Sequence, residues 1–79
     1  MAINFSPNPF TTQTAITFSR ALKDADIYIY DVSGKLVWKF QGANGRRVNW
    51  KAEGVRSGVY LLKVKAAGQV YHKKLLVQR

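Results

Sequence analysis

The chain lacks cysteine and has a single histidine, His72, among its 79 residues. Without cysteine it has neither a disulfide nor a thiolate metal site. His72 lies between Tyr71 and Lys73 with no acidic residue close to it in sequence, so we interpret it as an exposed strand residue rather than a catalytic base. A glycine-rich phosphate loop leading into a helix is also missing. These absences predict a domain that is not an enzyme and that holds no metal or cofactor.

Acidic residues are scarce as well. Only Asp24, Asp26, Asp31 and Glu53 oppose thirteen lysines and arginines, which gives a formal net charge of +9. The acids lack the spacing of a calcium-binding loop, and Asp24 and Asp26 are better interpreted as loop and edge residues than as a catalytic carboxylate pair. The basic excess predicts weak, salt-sensitive binding to polyanions. Because the sequence signatures of RNA-binding folds are missing, no specific nucleic-acid site is expected.

No apolar run reaches the roughly 18 residues that a membrane-spanning helix requires. The segment from Met1 to Phe5 has neither the basic region nor the apolar core of a secretory signal. Met1 and Ala2 are interpreted as an added translation start in front of a natural domain. A length of 79 residues suits one small domain, and we expect residues 1–79 to form it.

The sequence does contain hydrophobic alternation with a period of two, which is typical of β-strands. Turn signals separate the alternating runs, among them Val32–Lys35 around Gly34 and the Asn-Gly pair in Gly42–Gly45. Ser19–Ala25 is a short helical candidate. The pattern predicts an all-β fold of seven short antiparallel strands, as in a sandwich or a barrel, and of these two we expect the β-sandwich. Its expected strands are Ile3–Phe5, Thr14–Ser19, Asp26–Val32, Leu36–Phe40, Arg47–Lys51, Val59–Ala66 and Val70–Arg79.

The same alternation assigns most of the large apolar side chains to a core. Trp38 and Trp50 alternate with other apolar residues, which favours burial, although aromatics beside Lys and Arg are also typical of surfaces that stack on sugars or single-stranded nucleic acid. Tyr60 is expected to be a corner tyrosine whose hydroxyl bonds a backbone carbonyl. The residues expected to be largely buried are Ile16, Phe18, Ile27, Ile29, Leu36, Val48, Trp50, Tyr60, Leu62 and Val64.

Several motifs, taken in order, resemble one family. They are Ser6-Pro7-Asn8-Pro9-Phe10, Thr14–Ser19, Ile29–Val37, Val48-Asn49-Trp50, Ser57-Gly58-Val59-Tyr60 and the closing Lys73-Lys74-Leu75-Leu76-Val77. Over nearly its whole length the chain resembles the type A C-terminal sorting domain of the type IX (Por) secretion system. It is also similar to the Ig-like domain of flagellar hook-capping proteins, so the resemblance implies a seven-stranded antiparallel Ig-like β-sandwich. It departs from the family at Lys51, where an aspartate often follows the tryptophan.

The resemblance implies a sorting signal that follows a cargo domain in a longer protein. The cargo would be exported to the periplasm and would cross the outer membrane through the type IX translocon. A sortase-like surface protease often removes such domains and attaches the cargo to the cell surface, so a secreted or cell-surface location is expected, with cleavage or retention left open. The closing strand would be captured by addition to a receptor's sheet. The residues expected to carry the signal are Pro7, Asn8, Pro9, Phe10, Tyr30, Asp31, Gly34, Gly58, Tyr60, Lys73, Lys74, Leu75, Leu76 and Val77.

Two other interpretations of the sequence stay open. One is an Ig-like adhesion or spacer module of a secreted enzyme, which would have no sorting role. The other is a carbohydrate-binding module that stacks sugar rings on Trp38 or Trp50. Exposure of the two indole rings distinguishes this last interpretation, because a ring that is buried in the core has no face to offer to a sugar.

Overall fold

The computed structural model describes residues 2–6, 13–52 and 54–78, and these form five strands. The strands are β1 (Ile3–Ser6), β2 (Gln13–Tyr30), β3 (Leu36–Lys51), β4 (Gly58–Ala66) and β5 (Gln69–Val77). All pairings are antiparallel and belong to one curled sheet, a half-barrel, which confirms the all-β antiparallel prediction. The expected seven-stranded sandwich was wrong for the described residues, since they form five strands in a single sheet. None of these residues belongs to a helix with the length and hydrophobicity to cross a bilayer.

The long strand β2 is the centre of the sheet. One of its edges pairs with β3 along most of its length, from Gln13↔Lys51 to Tyr30↔Leu36. The opposite edge is shared, because β1 pairs with the first half of β2 and β4 pairs with the second half. The fifth strand, β5, returns beside β4 after the turn at Ala67 and Gly68. The order along the main path is therefore β1, β2, β4, β5, with β3 on the other side of β2.

Two predicted strand breaks proved to be bends within continuous strands. The helical candidate Ser19–Ala25 lies inside β2, and the predicted turn Gly42–Gly45 lies inside β3. Between Thr17 and Ala25 the pairing with β3 changes register twice, which is the mark of β-bulges. The two strands bend together at this corner, so four predicted strands become two.

The geometry of the corner explains why its sequence resembled a turn. Gly42 and Gly45 have φ of 73° and 91°, and Asp24 on the facing strand has φ of 50°. The Asn44 Oδ1 accepts a hydrogen bond from the Asp24 amide at 3.1 Å, and the Asn44 side-chain amide donates to the Gly42 carbonyl at 3.1 Å. Positive φ and a bonding Asn side chain serve a bulge as well as a hairpin, so the Asn-Gly signal did not separate the two.

The inner, concave face of the sheet carries the core. Eight of the ten residues expected to be buried are so, namely Ile16, Phe18, Ile27, Ile29, Trp50, Tyr60, Leu62 and Val64. Val48 is only partly buried against this core. Leu36 was predicted wrongly, since it is 43% exposed. The register shifts between Ile29↔Trp38 and Tyr30↔Leu36, and this bulge turns Leu36 to the convex face, away from Trp38.

Candidate recognition surface

The strand β5 forms one end of the sheet. It pairs with β4 from Gly58↔Val77 to Ala66↔Gln69, and no further strand of the described residues follows it in the strand order. Leu75 and Val77 are buried on the concave side, whereas Leu76 is 40% exposed on the convex side. The strand β5 has nine residues, and Leu75 and Val77 anchor it at one margin of the core.

The two adjacent lysines of β5 project from opposite faces of the sheet. Lys73 is the register partner of the buried Leu62, so it belongs to the concave face, yet it is exposed. Lys74 is the partner of Leu61 and belongs to the convex face. An inward-facing charge on an end strand is one means by which proteins discourage pairing with unintended strands. The two lysines that the sequence analysis treated as a pair therefore face different sides of the sheet.

Residues of β5, of β1 and of the segment before β1 line one surface depression. Its lining residues are Ala2, Ile3, Asn4, Tyr71, His72 and Lys73. Residues of β1 and β5 therefore lie close together here, and Lys73 is among them. His72 is exposed on β5, as the sequence predicted.

The hairpin between β2 and β3 is organised by Asp31. Its Oδ1 accepts hydrogen bonds from the Ser33 hydroxyl at 2.6 Å and from the amides of Ser33 and Lys35, both at 2.9 Å. Backbone bonds join the Gly34 amide to the Asp31 carbonyl at 3.0 Å and the Asp31 amide to the Lys35 carbonyl at 2.9 Å. Gly34 has φ of 89°, which a residue with a Cβ rarely adopts. The turn predicted at Val32–Lys35 is thus confirmed.

These hydrogen bonds favour the ionised carboxylate of Asp31. The bond from the Ser33 hydroxyl contributes most, the Lys35 amide adds to it, and the pKa of Asp31 lies below its ordinary value. The carboxylate therefore keeps its charge at neutral and mildly acidic pH and continues to hold the turn.

Tyr60 lies where the loop before β4 enters the sheet. Its hydroxyl donates to the Arg56 carbonyl at 2.6 Å, which confirms the predicted corner tyrosine. Its ring meets Trp50 edge to face, with centroids 6.2 Å apart. Gly58 begins β4 with φ of 152° and pairs with Val77, so this corner also positions the end of β5.

The comparisons with known proteins address the function of this arrangement. Residues 4–78 match the family model of the secretion system C-terminal sorting domain. The chain belongs to this family. A sorting domain of this kind is a C-terminal signal for type IX secretion, which takes its cargo across the outer membrane to be secreted or attached to the cell surface. It implies contact with the secretion machinery and a cargo that precedes it. A search of curated proteins found no significant match.

The sorting-domain family is not catalytic. Among the described residues no three side chains of the His, Cys, Asp and Glu types group together as metal ligands would. The indole of Trp50 is 1% exposed and has no face to offer to a sugar, and Trp38 is half-buried beside Phe40 and Trp50. Trp50, one of the two tryptophans proposed for carbohydrate binding, is therefore a core residue.

The sorting domain brings some of its predicted signal residues together and separates others. Tyr60 and Gly58 are register partners of Leu75 and Val77, and the hairpin of Asp31 shares a surface depression with Tyr60. Lys73 and Lys74 lie farther along β5, on different faces. Pro7, Asn8, Pro9 and Phe10 lie outside the described residues. Sequence reasoning did not name Ser33 and Arg56 as the partners of Asp31 and Tyr60, although Asp-x-Ser-Gly is a turn signal that indicates the first pair.

Proposed function

We propose that the secretion machinery captures the sorting domain by adding a strand of its own to β5. In this mode main-chain hydrogen bonds supply affinity, and side chains that alternate along the strand supply selectivity. The observation that supports the proposal most directly is the position of β5 at the end of the strand order, fixed to the core through Leu75 and Val77. A strand that is already held straight loses little conformational entropy when a partner strand is added.

The two lysines would give this edge its selectivity. Lys73 faces the concave side and opposes chance pairing with another apolar strand, because its ammonium group would have to be covered without a partner. A receptor strand with an acidic side chain opposite Lys73 would remove that penalty. Lys74 would contribute from the convex face, beside the exposed Leu76.

The remaining signal residues would act by shaping this edge. Tyr30, Asp31 and Gly34 hold the β2–β3 hairpin, while Gly58 and Tyr60 set the start of β4, with which the last residues of β5 pair. We assign Pro7, Asn8, Pro9 and Phe10 to the connection with the cargo. The motif set also favours the type A, Ig-like group of sorting domains. The receptors would be the outer-membrane translocon and then a sortase-like surface protease, followed by release or surface attachment.

The test is delivery of a reporter in a bacterium with a type IX system. A periplasm-exported reporter carrying this chain at its C-terminus should reach the cell surface or the medium. In the Lys73→Ala, Lys74→Ala variant the reporter should accumulate in the periplasm. Both lysines are exposed, so the stability of the domain should change by no more than about 0.5 kcal/mol. The single variants separate the contributions of the concave and convex faces.

The matched control is Lys23→Ala with Arg46→Ala. Both residues are exposed at the bent corner of β2 and β3, away from β5, and the control removes the same two charges. Reporter delivery that is equal in the two double variants would contradict capture through β5. A thermal melt that falls sharply in the Lys73, Lys74 variant alone would attribute its failure to unfolding.

A further inference from the structure

The convex face of the sheet, formed by β3, β2, β4 and β5, carries large side chains that the core does not use. Alternation along the strands places one set on the concave side and the other on this convex face. Register pairs align the convex set into rows that cross the strands. Successive rows lie roughly 7 Å apart, since they are two residues apart along each strand. The rows differ in chemistry from one end of the face to the other.

The end nearest the β2–β3 hairpin is apolar. One row joins Leu36, Tyr30 and Leu61 and ends at Lys74 on β5, and the next pairs Val59 with Leu76. The four aliphatic side chains are between 38% and 43% exposed, and Tyr30 is half-buried. Leu36, Tyr30 and Leu61 are register neighbours, and Val59 and Leu76 lie two residues farther along β4 and β5, so these side chains occupy neighbouring rows of one face with Lys74 at their margin. Contiguous exposed apolar patches on soluble domains commonly mark interaction sites.

The other end of the convex face is basic. A row joins Lys39, Tyr28, Lys63 and His72, and the row beyond it joins Asp26, Lys65 and Val70, which is 47% exposed. The Lys65 ammonium lies 5.8 Å from the centroid of the Tyr28 ring, which holds this charge over the face. Among the described residues, Asp26 is the one acidic member of these rows.

We propose that this convex face docks a folded protein surface on which an apolar strip lies next to an acidic cluster. The inference rests on the proposed function, because the partner would belong to the machinery that captures β5. The basic end would face the acidic cluster and fix the orientation of the partner. Leu61 and Tyr30 would pack against the apolar strip. A face on which aliphatic side chains predominate at one end and lysines at the other matches a partner whose apolar strip and acidic cluster lie side by side.

Two other polyanionic partners fit the face less well. Nucleic acid would satisfy the lysines and leave the apolar end uncovered. An anionic bilayer is uniform along its plane, so the divided face would have to stand upright with its apolar end lowest. That end also carries Asp31 and Arg56, and insertion would remove their charges from water. A protein surface can cover both ends of the face, and a strip limited to the Leu61 and Tyr30 side chains leaves Asp31 and Arg56 in water.

The experiment uses two variants of the reporter fusion with equal charge. Lys39→Glu with Lys65→Glu reverses the basic end of the convex face, and Lys23→Glu with Arg46→Glu reverses two exposed charges at the bent corner. Both pairs lower the net charge by four from +9. A photo-crosslinking amino acid at position 61, with position 46 as its control, reports direct contact. Circular dichroism melts verify that every variant is folded.

We expect the Lys39, Lys65 variant to lower surface delivery by about tenfold or more, because reversed charges would meet the acidic cluster. The crosslink from position 61 to a protein should disappear with it, while the corner variant keeps both. Full delivery by the Lys39, Lys65 variant with no protein crosslink from position 61 would overturn the inference and leave capture through β5 standing. Failure of the unaltered chain to deliver the reporter would overturn the proposed function and this inference with it.

Binding of the purified chain to anionic phospholipid vesicles and to a single-stranded oligonucleotide separates the other partners. Weak binding that salt abolishes and that both variants lose equally is the expected result for a basic surface. Vesicle or oligonucleotide binding lost only in the Lys39, Lys65 variant, without a protein crosslink, would assign the face to that ligand and overturn the protein partner.

Discussion

Tyr60 shows at the scale of one residue how a polar group is accommodated in a small core. Its ring is 6% exposed and meets Trp50, while its hydroxyl reaches the Arg56 carbonyl at 2.6 Å. The bond holds the loop before β4 against the sheet. It thereby connects a buried aromatic contact to the position of Gly58, the partner of Val77 on β5.

Removing only the Tyr60 hydroxyl tests this role. Tyr60→Phe should lower the free energy of unfolding by about 1 kcal/mol, because one hydrogen bond is lost while the ring packing remains. Chemical denaturation followed by tryptophan fluorescence measures the change. Tyr71→Phe is the matched control, since the Tyr71 hydroxyl donates to the exposed Gln69 side chain at 2.7 Å. If Tyr60→Phe and Tyr71→Phe lower the free energy of unfolding by the same amount, the bond to Arg56 stabilises the fold no more than the exposed bond to Gln69.

At the scale of the element, the β2–β3 hairpin depends on an ionised Asp31. Its hydrogen bonds to Ser33 and Lys35 lower its pKa in the folded state, so they stabilise the fold most where the carboxylate is charged. This contribution is fully present above the unfolded pKa, about 3.9 for aspartate, and it is lost as pH falls through the lower folded value.

The Asp31→Asn variant should therefore melt at a lower temperature than the unaltered chain at pH 5 to 7, since an amide oxygen is a weaker acceptor than a carboxylate. Below about pH 4 the difference should shrink, because the native carboxyl becomes protonated too. Melting curves recorded across this range give the result, with Asp26→Asn as the control for net charge. A difference that grows as the pH falls would contradict the assigned role.

Much of the element order could be predicted from alternation, but the strand count could not. The stretches Thr14–Ser19 and Val59–Ala66 and the hairpin at Gly34 were found because period-two patterns and turn residues agree there. The corner at Gly42–Gly45 was missed because bulges and hairpins use the same glycines. Leu36 was misplaced because one bulge reverses the face of every residue beyond it.

The candidate site shows the same division. The sequence identified the corner tyrosine and the turn at Asp31, since both are local patterns of residue type. It gave the two lysines of β5 as a pair, although alternation alone already implies opposite faces for neighbours on a strand. The convex face was not foreseen, because its rows depend on the register between β2, β3, β4 and β5, which are distant in sequence.

At the scale of the whole molecule, β5 belongs to both proposed contacts. Its edge is the proposed place of strand addition, and its convex side contributes His72, Lys74 and Leu76 to the convex face. A receptor that used both would read backbone geometry and side-chain chemistry at once. Such two-part recognition separates a true sorting domain from an unfolded apolar segment, which offers β-propensity without an ordered face.

The central position of β2 has a consequence for how the signal fails. Three of the four other strands pair with β2, and β5 is attached only through β4. Opening β2 therefore breaks its pairings with β1, β3 and β4 and leaves only the pairing of β4 with β5. Unfolding of the sheet should thus be cooperative. Amide hydrogen exchange should be slowest in β2, at a rate that follows global unfolding, and faster in β1 and β5. Independent exchange of the two halves of β2 would contradict this. A destabilising substitution in β2 would then unfold the whole sorting domain, so the signal would be lost completely and not gradually.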